Sequence, residues 1–154
     1  MIDPRLPLVE LHRHLDGNVR LQTILDLGRQ HKLPLPAFDP EGLRPYVQVT
    51  DPQPGVMAFI ARFEWLVGVM ADEDAIWRIT YENLEDARND GLDYIELRFS
   101  PWFMAEAHGL NPVSVTEAVV DGLAAGKRDF GIRANLIGII SRTYGPQSGK
   151  RELE

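Results

Sequence analysis

The sequence predicts an α/β chain that carries about the first three βα units of a (β/α)8 (TIM) barrel, and three observations lead there. Strand-like and helix-like segments alternate in the order strand, helices, strand, helix, strand, which implies parallel pairing through right-handed crossovers. The first strand-like segment runs into His12-Arg13-His14-Leu15-Asp16-Gly17. A doubly wound sheet usually places a glycine-rich phosphate loop there, whereas a barrel keeps its functional groups at the C-terminal ends of its strands. The chain has 154 residues, and a whole barrel needs roughly 200 to 250. Residues 1–154 are therefore read as the N-terminal part of a single barrel domain.

Each element has a local signal. Pro7 to His12 is mostly apolar and short, as a strand would be. Val19 to Gln30 places Leu21, Ile24, Leu25 and Leu27 in an apolar stripe, with Asn18 as a candidate cap. Leu33 to Pro54 holds six of the eleven prolines and is expected to be mainly loop and short turns. Val56 to Met70 is expected to be one strongly apolar helix, containing Phe59, Phe63, Trp65 and Leu66. Ala71 to Asn89 follows as another, capped by Asp72 and ended by Gly91. Asp93 to Phe99 alternates polar and apolar residues, which predicts the second strand. Pro112 to Phe130 predicts a helix with proline in its first turn and Gly131 at its end. Ile132 to Ser141 is expected to be a third strand buried on both faces, and Gly149 to Glu154 the start of a further helix.

Composition narrows the function. The net charge of -7 disfavours nucleic acid, which is bound through its phosphates by a basic face. With no cysteine, neither a disulfide nor a thiolate metal site is available. No basic segment followed by an apolar run opens the chain, and no stretch reaches the roughly 20 apolar residues of a membrane span. The expectation is a cytoplasmic enzyme acting on a small neutral molecule, with no nucleic-acid or membrane partner.

His12 and His14 are the sharpest feature. Residues two apart on a strand share a face, so two imidazoles would converge at the strand's C-terminal end, and imidazole is a good zinc ligand. Asp16 reads in two ways: as a turn or capping carboxylate beside Gly17, or as an acceptor at a pocket mouth for substrate hydroxyls. Glu96 and Arg98 also share a face and are expected to form a structural ion pair. Arg142, at the end of the third strand, would face the pocket or brace a carboxylate. Phe59, Phe63, Trp65 and Leu66 read as core, with the alternative of an apolar wall for a purine ring. His31 and His108 are expected to face solvent.

The segments Val9 to Gly17, Tyr94 to Pro101 and Leu136 to Arg142 closely resemble, in order and spacing, those of adenosine deaminases, most nearly the bacterial ones. The resemblance runs along essentially the whole chain. It implies a barrel of the metal-dependent hydrolase superfamily and zinc-dependent hydrolytic deamination of adenosine, and of 2′-deoxyadenosine, in purine salvage. It maps zinc ligation onto His12 and His14, ribose contact onto Asp16, and a second substrate contact onto His14. It likens the helix of Phe59 and Phe63 to an apolar gate over the purine.

The family's remaining zinc ligands and its catalytic glutamate come later in the chain than Glu154, so no catalytic residue is assigned here. The expectation is that this chain alone has no deaminase activity. Two alternatives stand. One is an adenine or other purine deaminase of the same superfamily. Asp16 argues against it, because adenine-specific relatives tend to carry glutamate there. The other is a non-catalytic fragment or half-barrel that binds a partner, or itself, through open sheet edges.

Overall fold

The computed structural model describes residues 6–52, 54–141 and 145–153. Its centre is a three-stranded parallel sheet in the order β1 (Val9–His14), β2 (Tyr94–Phe99), β3 (Arg133–Gly138). Between β1 and β2 run α1 (Leu21–Gln30), α2 (Pro40–Val47), α3 (Val56–Ile60), α4 (Phe63–Gly68) and α5 (Glu73–Asn89). Between β2 and β3 lie α6 (Pro101–Glu106) and α7 (Pro112–Phe130), and α8 (Gly145–Arg151) follows β3. Consecutive strands are neighbours joined by helical crossovers, the arrangement of a barrel's opening units.

Alternation gives the sheet two unlike faces. Ile95 and Leu97 of β2 sit beside Ala134 and Leu136 of β3 and point toward the helices. Ile95 and Leu97 are fully buried, and Phe99 and Ala134 nearly so. On the other face, Tyr94, Glu96 and Arg98 sit beside Arg133, Asn135 and Ile137. Burying each large apolar side chain on the helix side contributes about 1.5–3 kcal/mol.

Helices α5 and α7 cover that side, and glycine brings them close. A Cβ on Gly122 would lie 2.7 Å from the carbonyl oxygen of Trp77, and one on Gly126 would lie 2.6 Å from Leu84 Cβ. Both helices start and stop on local chemistry. The Asp72 side chain accepts from the Ala75 amide at the start of α5, and Asn111 does the same for Val113 at the start of α7. Gly131, at φ 64°, closes α7 in the left-handed conformation.

Several expectations are corrected. β1 extends through His14, so the histidine motif lies within the strand. Asn18 does not cap α1. Its side-chain amide donates to Asn83 Oδ1 at 2.7 Å, and Arg20 occupies the cap position without a side-chain bond. The proline-rich segment is not all loop: Asp39 accepts from Gly42 N, Pro40 occupies the first turn, and α2 forms. The single helix expected from Val56 to Met70 is divided into α3 and α4 at Ala61 and Arg62. Ser100 accepts from Phe103 N and starts α6 directly after β2. β3 is an edge strand among the described residues and buries only Ala134, so it is not covered on both faces.

Candidate active site

The site is built at the end of β1. His12 and His14 project into one cavity, with ring centroids 5.5 Å apart. The same-face expectation for the two imidazoles therefore matches the geometry, but the strand beneath them is not regular. Glu10 sits opposite Ile95 and Arg13 opposite Leu97, so three steps along β1 match two along β2. One extra residue is accommodated at Leu11–His12, which is a β-bulge. Beyond it, Leu15 N donates to Arg98 O at 2.9 Å, and the ladder continues past His14.

Asp16 is 2% exposed and lines the same cavity. Its Oδ1 has no hydrogen-bond partner and lies 3.4 Å from His14 Nδ1. It does not cap α1, whose cap position is Arg20. An unpartnered buried carboxylate oxygen is costly unless something donates to it.

Aromatic rings form the opposite wall. Phe63 stands edge-on to His14 at 6.4 Å between centroids, and contacts Phe59 at 5.4 Å and Phe103 at 6.3 Å. Gly17 makes this approach possible, because a Cβ there would be 2.9 Å from Phe63 Cε1. Phe59 and Phe63 thus line the cavity, whereas Leu66 is buried in the core and Trp65 packs against that core and Tyr46. The cavity has a volume of about 1010 Å³, at the upper end of the range of ligand pockets, about 300–1,000 Å³.

The remaining sequence candidates fall elsewhere. Glu96 and Arg98 do not form the expected ion pair. Glu96 accepts from the Tyr94 hydroxyl at 2.8 Å, and Arg98 Nε is buried without a hydrogen-bond partner. Arg142 lies outside the described residues. His31 is not solvent-facing: its ring is mostly buried, with Nε2 3.6 Å from Asp72 Oδ2. His108 is exposed, with Nε2 2.7 Å from Gly68 O.

The structure adds residues that the sequence reading passed over. Phe103 reaches the cavity because Ser100-Pro101 starts α6 at the strand end, a cap signal available in the sequence. Ser100 Oγ also donates to Glu152 at 2.6 Å. Glu10 and Arg13 line the cavity beside the open edge of β1. Arg13 donates to Glu10 Oε2 through Nε at 3.0 Å and Nη2 at 2.6 Å, and to Asp90 Oδ2 at 3.2 Å. Burial opposes the charge on Arg13, and the bonds to Glu10 and Asp90 outweigh it, so the guanidinium is held above its ordinary range.

As metal donors, the two imidazoles suit a borderline ion such as zinc, which takes ring nitrogens readily. Among the described residues, no group of three or more His, Asp and Glu side chains is placed to hold an ion.

The adenosine deaminase family profile matches residues 7–154. Over its whole length the chain is 55% identical to the adenosine deaminase of Aliivibrio fischeri strain MJ11, and it covers 46% of that relative. The chain therefore spans about half the length of the curated relatives it matches. An amidohydrolase from Burkholderia ambifaria, solved with zinc bound, is 29% identical with a TM-score of 0.76, covering 94% of this chain and 38% of that one. The adenine deaminase of Arthrobacter aurescens superposes with a TM-score of 0.79 over 96% of this chain and 45% of that one. At 24% identity, that likeness shows a shared fold. With a profile match that takes in the histidine strand, the aromatic wall and all three strands, this chain belongs to the adenosine deaminase family.

Proposed function

We propose that this chain supplies the first-strand part of the active site of an enzyme that hydrolyses the C6 amino group of adenosine or 2′-deoxyadenosine, giving inosine or 2′-deoxyinosine and ammonia. One observation carries the reading. Two imidazoles, a buried carboxylate with a free acceptor and an aromatic wall meet in one cavity at a strand's C-terminal end. The curated relatives with which the chain shares half its residues are adenosine deaminases, and a structural neighbour holds zinc.

His12 and His14 would hold a zinc ion through their ring nitrogens. When bound, such an ion is a Lewis acid that makes water available as a nucleophile near neutral pH. Asp16 would accept from a ribose hydroxyl and so fix the nucleoside's orientation. Phe59, Phe63 and Phe103 would pack on the purine and keep bulk water away from it. The reaction also needs an acid at N1 and a base for the water proton. Glu10 and Asp90 are paired with Arg13, and Asp86 with Arg20. We assign proton transfer to none of them. The neutral small-molecule substrate and the acidic, cysteine-free composition suit purine salvage in the cytoplasm.

The test is a chimaera in which this chain replaces the corresponding segment of the A. fischeri enzyme. It should convert adenosine to inosine, and His12→Ala or His14→Ala should abolish turnover. A folded chimaera that deaminates adenine but not adenosine would overturn the substrate, and one inert toward both would overturn the assignment. The 154-residue chain alone, given zinc and adenosine, should form no inosine.

A further inference from the structure

The bulge in β1 changes which residues share a face with the histidines. In a regular strand, Glu10, His12 and His14 would form one row, because residues two apart alternate back to the same side. The observed register breaks that row. Glu10 is level with Ile95 and Arg13 with Leu97, both of which point toward the helices, while His14 is level with Arg98 on the opposite face. The extra residue at Leu11–His12 takes Glu10 out of register with the imidazoles, so it meets their cavity from beside the strand edge, next to Arg13.

An inserted residue leaves the ladder locally unpaired, so something else must hold it. Residues three apart on a regular strand point to opposite sides, yet Arg13 grips Glu10 through two nitrogens, at 3.0 and 2.6 Å. The fork spans the bulge, with one partner on each side of His12. Arg13 also reaches Asp90 at the end of α5, 77 residues away in sequence, which ties the bulge to the turn that leads into β2. The Arg13 side chain is 15% exposed against 60% for Asp90, so its anchor is the inner, Glu10 end.

We infer that Arg13 is a positioning residue for the imidazole pair: its clamp on Glu10 across the bulge sets where His12 projects relative to His14. The inference rests on the reading of His12 and His14 as the metal-holding pair, but the clamp itself is measurable without metal. Neither Arg13 nor Glu10 is proposed as a ligand or as a group that touches substrate.

The experiment uses the full chain and its Arg13→Ala, Arg13→Lys and Glu10→Gln variants, with folding checked by circular dichroism. The first readout is the nuclear Overhauser contact between the His12 and His14 ring protons in metal-free protein. The second is zinc affinity by calorimetry. In Arg13→Ala the ring–ring contact should be lost, and zinc affinity should fall about 10- to 100-fold, the usual scale for removing a residue that orients ligands. Arg13→Lys keeps the charge without the fork and should fall between Arg13→Ala and wild type. Folded variants that keep both the ring contact and wild-type affinity, even with a lower melting temperature, would overturn the clamp. If Arg13→Ala does not fold, Arg13→Lys and Glu10→Gln decide by the same two readouts. A wild-type chain that binds no zinc at these rings would count against the metal reading, and the ring contact would still decide the clamp.

Discussion

On the helix-facing side of the sheet, Ile95 and Leu97 are sealed under α5 and α7; one residue away, on the opposite side, Glu96 and Tyr94 hold a hydrogen bond in partial contact with solvent. His12 and His14 belong with this second face, and the bulge brings Glu10 level with Ile95, as Arg13 is with Leu97, while both still reach the rim of the cavity. Neighbouring residues of one strand thus serve different ends. The first face binds the helices to the sheet, and the second leaves polar groups available to a ligand. The difference is set by the period of the strand and by a single inserted residue.

The comparison predicts a graded set of costs. Leu97→Ala should cost the most, about 2–5 kcal/mol by urea unfolding, because it empties a filled site between sheet and helices. Glu96→Gln, its sequence neighbour, should stay within about 1 kcal/mol. Equal costs would break the distinction between the faces. Gly122→Ala should cost about 1–3 kcal/mol, since its new methyl would press on the Trp77 carbonyl, a backbone atom that cannot swing aside. Asp72→Ala should cost about 1 kcal/mol through loss of the α5 cap.

The smallest effect is a titration. The hydrogen bond to Glu96, and then partial burial, hold the Tyr94 phenol above its ordinary range. A raised phenol value favours the protonated folded form. Its contribution is therefore complete below the unfolded value of about 10 and is lost as pH rises through the folded value. Phenolate absorbance should show a Tyr94 midpoint that drops toward the ordinary value in Glu96→Gln. An unchanged midpoint would remove the Tyr94–Glu96 bond from the account.

Legibility in the sequence followed the same division. α5 and α7 were readable nearly to the residue because Asp72, Pro112 and Gly131 are strong local signals that the packing does not oppose. α2 and α6 carried the same kind of signal, in Asp39-Pro40 and Ser100-Pro101, but proline density and the strand's end masked it. The convergence of His12 and His14 was readable from alternation. The bulge was not, because alternation predicts an unbroken row that includes Glu10, and only pairing with β2 shows the extra residue. The expected Glu96–Arg98 pair failed for a related reason. A shared face was legible, but it also holds Tyr94, two residues before Glu96, and the phenol rather than Arg98 donates to the carboxylate.

The central claim is that His12 and His14 act as one unit toward a divalent ion. Zinc titration of the 15N-labelled chain, followed at the imidazole nitrogens by NMR, tests it most directly. The His12 and His14 resonances should move together with one dissociation constant, while His31 and His108 stay where they are. Zinc that shifts only one of the pair, or that moves His31 or His108 instead, would contradict the account.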